Sequence, residues 1–564
     1  MLKELTVGIA QTAPEPTTER NRDKIIHFVH EARARGCRLL VTQEGALYSA
    51  PDTPKAQIDA AVHAVRAAAA ESGIYVILCL FYRLTDDAAH LHNRLLVIAP
   101  DGGIIHCYDK IWGDARFASI PGPFLIDEVL CCAAICADRQ VRGVEELPAF
   151  AGARILFECS GNFAREWIPD LQYFWYVPRA VRNGAYVILA NMPRGKPEMF
   201  ALGLGPGHGH SAVIAPDGTL VAGLGDENDR LLVATIDPAR ATLAEAERRH
   251  AHPIFRRFWD AGLAIMGGAD VVAPPLVQRA ATGPRNLTVA AAQMAVSSSL
   301  SANLERMGRL VEDARQGGAD VVAFPELAVT GVRDEDVVAA DGVTLEAALG
   351  QVREMARRSR ICAVFGMPHI EDGRRHNSAY AVGPAGEILT RYDQLVVDRP
   401  GLFAAGQSTR AMWFDVKGKP AVVTIGQDAL WNEIAELAAV RGAQLHFHLC
   451  YDGDTSEEGL RRRKQLWANV ACFRTLTATV NAASPASGGS TIWQDYYRGQ
   501  PPVGGGFTPH WPVRLVDTGA GEAILYATLA IPRVNHQYAW MTDRSNPQMR
   551  SWYLIGADVI CDEI

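Results

Sequence analysis

The sequence has no long hydrophobic run. Its longest wholly apolar stretches, Ile74 to Tyr82 and Val129 to Ala137, fall far short of the ~20 residues needed to cross a bilayer. The amino-terminal Met1-Leu2-Lys3-Glu4-Leu5 carries no apolar core leading to a small-residue cleavage site, which argues against a secretory leader. Excess positive charge is also missing. Lys and Arg number 55 against 63 Asp and Glu, a net charge of −8, so the basic footprint of a nucleic-acid binder is absent. No CxxC pair has a matching partner, which argues against a structural zinc site. The 11 cysteines are odd in number and scattered, and several (Cys79, Cys131, Cys132) sit inside apolar runs. Such usage excludes a disulfide framework and fits reduced thiols in a reducing, cytoplasmic compartment. The glycine-rich stretch Gly203 to Gly209, with His208 and His210 in or beside it, lacks the Lys-Ser/Thr of a phosphate loop and reads as a flexible loop.

What remains is an ordinary globular chain of 564 residues, 48% hydrophobic and 21% charged. Its main feature is that it repeats. Thr6 to Gln11 resembles Thr288 to Gln293, and Glu44, after an apolar run, keeps the same separation from Glu326. The separation grows slightly by Tyr108-Asp109 and Tyr392-Asp393, and again by Asn191 and Asn481. Slow growth of this kind means two copies of one domain with small loop insertions. Copy one is expected over residues 1–268, a linker over 269–284, and copy two over 285–564.

Within copy one, Leu5 to Gln11, Cys37 to Thr42 and Ile74 to Phe81 read as buried strands. Thr18 to Gly36 and Ala56 to Ser72 read as helices, each stopped by a glycine. Asp101-Gly102-Gly103 between two apolar runs reads as a hairpin. The pattern predicts an α/β protein in which a mixed sheet carries helices on its outer face.

The apolar strand Val129 to Ile135 runs straight into Cys136, with a helical stretch beyond it. A sharp strand-to-helix turn lifts a nucleophile out of its sheet, and nearby cations favour thiolate over thiol. Glu44 ends one strand and Lys110 follows the second arm of the hairpin, so carboxylate, ammonium and thiol can converge on one rim. Taken singly, a cysteine in an apolar strand is usually core, and a glutamate at a strand end is usually only solvated. Together, Glu44, Tyr108-Asp109-Lys110 and Ile135-Cys136-Ala137-Asp138-Arg139 resemble the Glu–Lys–Cys signature of the nitrilase, or carbon–nitrogen hydrolase, superfamily. In copy two, Phe324-Pro325-Glu326-Leu327-Ala328-Val329-Thr330-Gly331 is an even closer likeness of its first motif.

The resemblance implies two tandem αββα sandwich domains, packed as an intramolecular αββα–αββα pseudo-dimer, with further self-association left open. It implies covalent hydrolysis of a non-peptide C–N bond, with no cofactor and no metal. Cys136 would attack, Lys110 and the backbone N–H of Ala137 would hold the oxyanion, and Glu44 would carry the proton. Tyr48 and Asn162, by their nearness to Glu44 and to the Cys159-Ser160 strand end, are the candidate substrate contacts, with Trp112, Phe163, Trp167 and Arg182 around them. The partner the resemblance implies is a small-molecule substrate, a small amide or a carbamoyl or ureido compound. A nitrile is the alternative, and a silent scaffold is the reading from another class. An ammonia-donating glutaminase is disfavoured, because no synthetase or phosphate-loop segment is seen.

Two departures from the family pattern stand out. Gln43 replaces the usual proline before the first glutamate. Ala115, in Gly113-Asp114-Ala115-Arg116, stands where members commonly carry a second glutamate, for which Asp114 or Glu158 are the candidate replacements. Copy two has Gln394 opposite Lys110 and Gly426 opposite Cys136, so only Glu326 survives and that copy is expected to be non-catalytic. His446, His448 and Cys450 share one strand face there, but no fourth ligand is apparent, so pocket lining or core packing is expected.

Overall fold

The computed structural model describes the chain apart from residues 1–3, 84, 86–90, 112–119, 162–166, 203, 474, 496–511, 536–546 and 561–564. It forms two compact units, residues 1–272 with 541–552, and residues 273–540 with 553–564. Each unit is built on two six-stranded sheets.

In the first unit the chain runs β1 (Leu5–Gln11), α1 (Thr18–Ala34), β2 (Leu39–Thr42), α2 (Lys55–Ser72), β3 (Tyr75–Tyr82), β4 (His92–Ile98) and β5 (Ile104–Asp109). These strands and β12 (Arg230–Ile236) make one sheet in the order β12-β1-β2-β3-β4-β5. The central trio is parallel, and the hairpin β4–β5 is antiparallel, as the sequence predicts. The second sheet holds β6 (Phe124–Ile126), β7 (Val129–Ile135), β8 (Ile155–Ser160), β9 (Tyr186–Asn191), β10 (Ala212–Ile214) and β11 (Leu220–Gly223), in the order β11-β10-β9-β8-β7-β6. Helices α3 (Glu146–Phe150), α4 (Val177–Asn183), α5 (Ala244–Ala251) and α6 (Arg256–Met266) belong to this half.

Local chemistry sets the elements. Helix α1 starts where the Thr17 hydroxyl accepts from Arg20 N–H at 3.4 Å, and Gly36 follows its end at φ +77°. Its buried residues Ile25, Phe28, Val29 and Ala32 fall at helical spacing on one face. Helix α2 ends at Gly73 in the left-handed region, where the glycine N–H returns to Ala69 and Ala70 carbonyls. Strand β2 is buried along its whole length, flanked by parallel β1 and β3, so it reads as a continuous apolar run.

The second unit repeats the plan: β13 (Asn286–Gln293), α7 (Leu300–Gln316), β14 (Val321–Ala323), α8 (Asp334–Ala339), α9 (Gly342–Ser359), β15 (Cys362–Glu371), β16 (Arg374–Val382) and β17 (Ile388–Asp393). There follow β18 (Trp413–Val416), β19 (Lys419–Ile425), α10 (Glu433–Arg441), β20 (Leu445–Leu449), α11 (Glu457–Val470), β21 (Leu476–Val480), β22 (Thr491–Asp495), β23 (Pro512–Asp517) and β24 (Ala523–Ala530). Its sheets are ordered β17-β16-β15-β14-β13-β24 and β18-β19-β20-β21-β22-β23. The two units are tandem αββα folds. Within the 269–284 stretch, Arg279, Ala281 and Thr282 donate backbone hydrogen bonds to Arg441, Arg533 and Gly418 of the second unit.

The last described helix is α12 (Pro547–Val559). Its Trp552 counts with the first unit, stacks on Phe258 at 4.6 Å and donates its indole N–H to the Phe258 carbonyl at 2.6 Å. No helix among the described residues is long and apolar enough to cross a membrane, and every cysteine among them is a free thiol.

Candidate active site

Three loops at strand ends bring the three expected residues together. Glu44 follows β2, Lys110 follows β5, and Cys136 opens a single 3₁₀ turn (Cys136–Gln140) directly after β7. The Lys110 Nζ lies 2.5 Å from Glu44 Oε1, with the two side chains 18% and 13% exposed. The Cys136 thiol hydrogen-bonds the same carboxylate. Cys136 sits at φ +48°, a left-handed conformation that costs a side-chain-bearing residue of order 1–3 kcal/mol and persists only where its surroundings enforce it.

Those surroundings are visible. Tyr108, two residues before Lys110, accepts from Ile135 N–H at 3.2 Å and donates its hydroxyl proton to Asp138. Asp138 also accepts from Ile111 N–H at 3.2 Å. One tyrosine–aspartate pair therefore ties the turn holding Cys136 to the loop holding Lys110. Glu44 is fixed on two further sides, by Asn93 Nδ2 at 2.6 Å and by the Gly161 backbone N–H at 3.0 Å.

The electrostatics follow from this packing. Burial opposes ionising Glu44, but the charge and hydrogen bond of Lys110 outweigh it and hold the carboxyl below its usual range. Burial likewise opposes the charge on Lys110, yet Glu44, Cys136 and Asp138 keep its pKa raised. A carboxylate, an ammonium and a thiol thus share one water-poor space. The arrangement can pass a proton from sulfur to carboxylate and can place a cation beside an oxyanion.

The remaining candidates fall as follows. Ala137 lies in the turn, next after Cys136. Tyr48 is buried in a small apolar cluster with Met192, Met199 and Leu204, edge-on to Phe81. Asn162, Phe163, Trp112 and the Gly113–Arg116 stretch with Ala115 lie outside the described residues. Trp167 stacks on His210 at 3.7 Å, whereas Arg182 is interior and pairs with Glu146 at 2.8 Å. Gln43 is buried and clips the loop after β1, donating to the Thr12 carbonyl at 2.6 Å and accepting from the Thr12 hydroxyl. Glu158 is wholly buried under the site and pairs with Arg179 at 2.8 Å.

The second unit holds the same frame with different contents. Gly426 opens the matching turn at φ +44°, and Tyr392 donates to Asp428 at 2.8 Å. Glu326 accepts from Asn377 at 2.7 Å and from Tyr451 N–H at 3.0 Å. The Lys110 position is Gln394, whose amide oxygen takes a bond from Asn377 at 2.9 Å. With Gln394 in place of the ammonium, Glu326 behaves oppositely to Glu44: burial and the Asp398 charge push it up to about 7, against the Arg399 guanidinium at 3.9 Å. His446 and His448 both meet the Thr424 hydroxyl, at 2.7 and 2.9 Å, and burial pushes each down to about 3. Among the described residues no group of three or more His, Cys, Asp or Glu is arranged to hold a metal ion.

A family model described as carbon–nitrogen hydrolase matches residues 6–246 and 288–481, well over half of the chain. The chain belongs to the carbon–nitrogen hydrolase family. Over 150 residues it is 32% identical to the glutamine-dependent NAD(+) synthetase of Xylella fastidiosa, a match covering 25% of this chain and 27% of that protein. Over 142 residues it is 30% identical to the protein of the same name from Acinetobacter baylyi, covering 24% and 25%. The chain thus spans about a quarter of the length of these curated relatives. Among solved structures, a cysteine-to-alanine variant of the Nesterenkonia AN1 amidase, of the nitrilase superfamily, aligns at 21% identity with a TM-score of 0.37, covering 44% of this chain and 93% of that one.

For a carbon–nitrogen hydrolase, the residues that sequence reasoning passed over are Asn93, Gly161 and the Tyr108–Asp138 pair as supports of Glu44, Lys110 and Cys136. A signal for them existed. Asn93, Tyr108 and Asp138 have the identical residues Asn377, Tyr392 and Asp428 in the second copy. Gly161 contributes only a backbone N–H and leaves no such trace.

Proposed function

We propose that the first unit hydrolyses a small amide or ureido compound through a thioester on Cys136, and that the second unit does no chemistry. The observation that carries this reading is the buried Glu44 carboxylate, bonded at once to Lys110 and to the thiol of a cysteine held at positive φ. The Cys136 sulfur attacks the carbonyl carbon, and its proton passes to Glu44. Lys110 and the Ala137 N–H hold the negative oxygen that forms. The tetrahedral species collapses, the C–N bond breaks, and Glu44 returns the proton to the leaving nitrogen. Glu44 then takes a proton from water, whose oxygen attacks the thioester. The C–S bond breaks, acid is released, and the thiol regains its proton.

The similarity to glutamine-dependent proteins bears in the same direction, since glutamine carries a primary carboxamide. In the second unit Gly426 offers no nucleophile and Gln394 no cation, which supports a non-catalytic role.

Intact-protein mass spectrometry after incubation with pooled amides, carbamoyl compounds and nitriles tests the reading. An acyl-sized adduct on Cys136 that accumulates in Glu44→Gln is the expected result, and its mass names the acyl group. An adduct from nitriles alone would replace the amide reading. No adduct and no ammonia from any pool would sink the covalent route.

A further inference from the structure

Beneath Cys136 lies a buried charged cluster that the Glu–Lys–Cys arrangement does not use. Arg139, one 3₁₀ turn after the cysteine, is 5% exposed and places Nη1 3.8 Å from the Cys136 sulfur. The same nitrogen reaches Ser160 Oγ at 3.4 Å, and Ser160 donates to Glu158 at 3.4 Å. Arg179 binds Glu158 at 2.8 Å and Glu145 at 3.2 Å, and it donates to the Arg139 carbonyl. The Arg139 guanidinium also lies over the Trp175 ring at 5.5 Å, which fixes its plane.

The second unit serves as an internal control. It keeps the residues that shape the backbone, with Asn377, Tyr392 and Asp428 for Asn93, Tyr108 and Asp138. In the register that pairs Cys136 with Gly426, the cluster is gone. Arg139, Glu145, Glu158 and Arg179 face Ala429, Ala435, His448 and Asn469. Scaffold without cluster goes with the loss of the nucleophile, so folding of this αββα plan does not require the cluster.

We propose that Arg139 is a second cation for the nucleophile, stabilising the Cys136 thiolate that forms as the thiol proton passes to Glu44, while Glu158, Glu145 and Arg179 hold Arg139 in place. The proposal rests on Cys136 being the nucleophile. A guanidinium at this distance stabilises the anion of the sulfur and does nothing for the thiol. Among the described residues around the sulfur, the carboxylates of Glu44 and Asp138 oppose ionisation, and the cations of Lys110 and Arg139 favour it. Behind Arg139, burial and mutual repulsion push Glu145 and Glu158 upward, Glu158 to about 8. His208, a titratable ring that also feels the Arg139 charge, is pushed down to about 3 by burial and stays neutral.

The test reads the thiol and not turnover. In the full chain, iodoacetamide labelling of Cys136 is followed against pH by peptide mass spectrometry, with free glutathione as reference thiol, since burial raises the Cys107 thiol. In the wild type the Cys136 midpoint is expected well below that of glutathione. Arg139→Gln should raise it by about one pH unit, which slows labelling at pH 7 about tenfold and leaves Cys107 labelling unchanged. Arg139→Lys keeps the charge and should recover most of the shift. Labelling of the buried Cys79 and Cys132 reports any loss of fold in the glutamine variant, in which case the lysine variant against wild type decides. A low wild-type midpoint that Arg139→Gln leaves in place overturns this proposal alone. A wild-type Cys136 that titrates with glutathione also overturns this proposal and leaves the Glu44 proton route standing, whereas absence of the acyl adduct on Cys136 is what overturns the nucleophile reading.

Discussion

Lys110→Gln installs in the first unit the residue that the second unit carries at the same place, and the structure supplies the expected outcome. Glu44, beside Lys110, is held below the ordinary carboxylate range, whereas Glu326, beside Gln394, is pushed up to about 7 by burial and the Asp398 charge. Removing the ammonium should therefore raise the Glu44 carboxyl toward the Glu326 value, with the Arg139 charge left to oppose the rise. A carboxyl with pKa near 7 in the fold and near its ordinary 4.5 in the unfolded chain binds its proton more tightly when folded. Its effect on stability is nil below pH 4.5, grows unfavourable as pH rises toward 7, and then levels off. In the wild type the sign is reversed, because the depressed Glu44 adds stability at neutral pH and gives it up on acidification. At 1.36 kcal/mol per unit, a rise all the way to the Glu326 value sets the Lys110→Gln penalty at no more than about 3 kcal/mol by pH 8. For a unit of this size that is a melting difference of about 5–10 °C. Melting curves of variant and wild type at pH 5 and pH 8, followed with an infrared titration of the protonated carboxyl band, measure it. The gap should widen with pH, and hydrolysis should fall by at least about a thousandfold, since both proton carrier and oxyanion cation are disabled. A melting gap equal at pH 5 and pH 8 would refute the reasoning, for it would mean that Lys110 does not govern the charge of Glu44.

Further outcomes follow from particular contacts. Tyr108→Phe should cost about 2–3 kcal/mol, because Ile135 N–H loses its acceptor and Asp138 a donor in a buried site, and it should slow labelling of Cys136. Tyr392→Phe should cost a similar amount and leave turnover untouched, as separate melting and rate measurements will show. Cys136→Gly should lose all hydrolysis yet melt above Cys136→Ala by about 1 kcal/mol, since only glycine accepts φ +48° without strain. Trp552→Ala should cost about 3–5 kcal/mol, read as loss of the first unit's thermal transition, through the emptied place against Phe258. Chelators should leave hydrolysis unchanged, because the proposed chemistry runs through Glu44, Lys110 and Cys136, and among the described residues no group of three or more His, Cys, Asp or Glu is arranged to hold a metal ion. A rate that falls with chelator and returns with metal would contradict that.

The sequence by itself determined the repeat, the strand and helix order, the hairpin before Lys110 and the approach of Glu44, Lys110 and Cys136 to one another. These are local facts. Apolar periodicity fixes each element, a glycine ends each helix, and a residue at a parallel strand end falls on the same rim as its neighbours. Gln394 and Gly426 were legible for the same reason, since identity at a register position needs no coordinates. What only the tertiary structure decided depends on contacts between segments far apart in the chain. That Asn93 and Gly161 N–H clasp Glu44, that Tyr108 and Asp138 lock the turn of Cys136, and that Gln43 faces Thr12 are matters of side-chain direction across sheets. The opposite titration of Glu44 and Glu326 belongs there too. Both follow an apolar strand as the same residue type, and the charge on each is set by what the fold brings within a few ångströms. Arg139 reads in the sequence as one more arginine beyond a motif; burial beside the sulfur is what gives it a function.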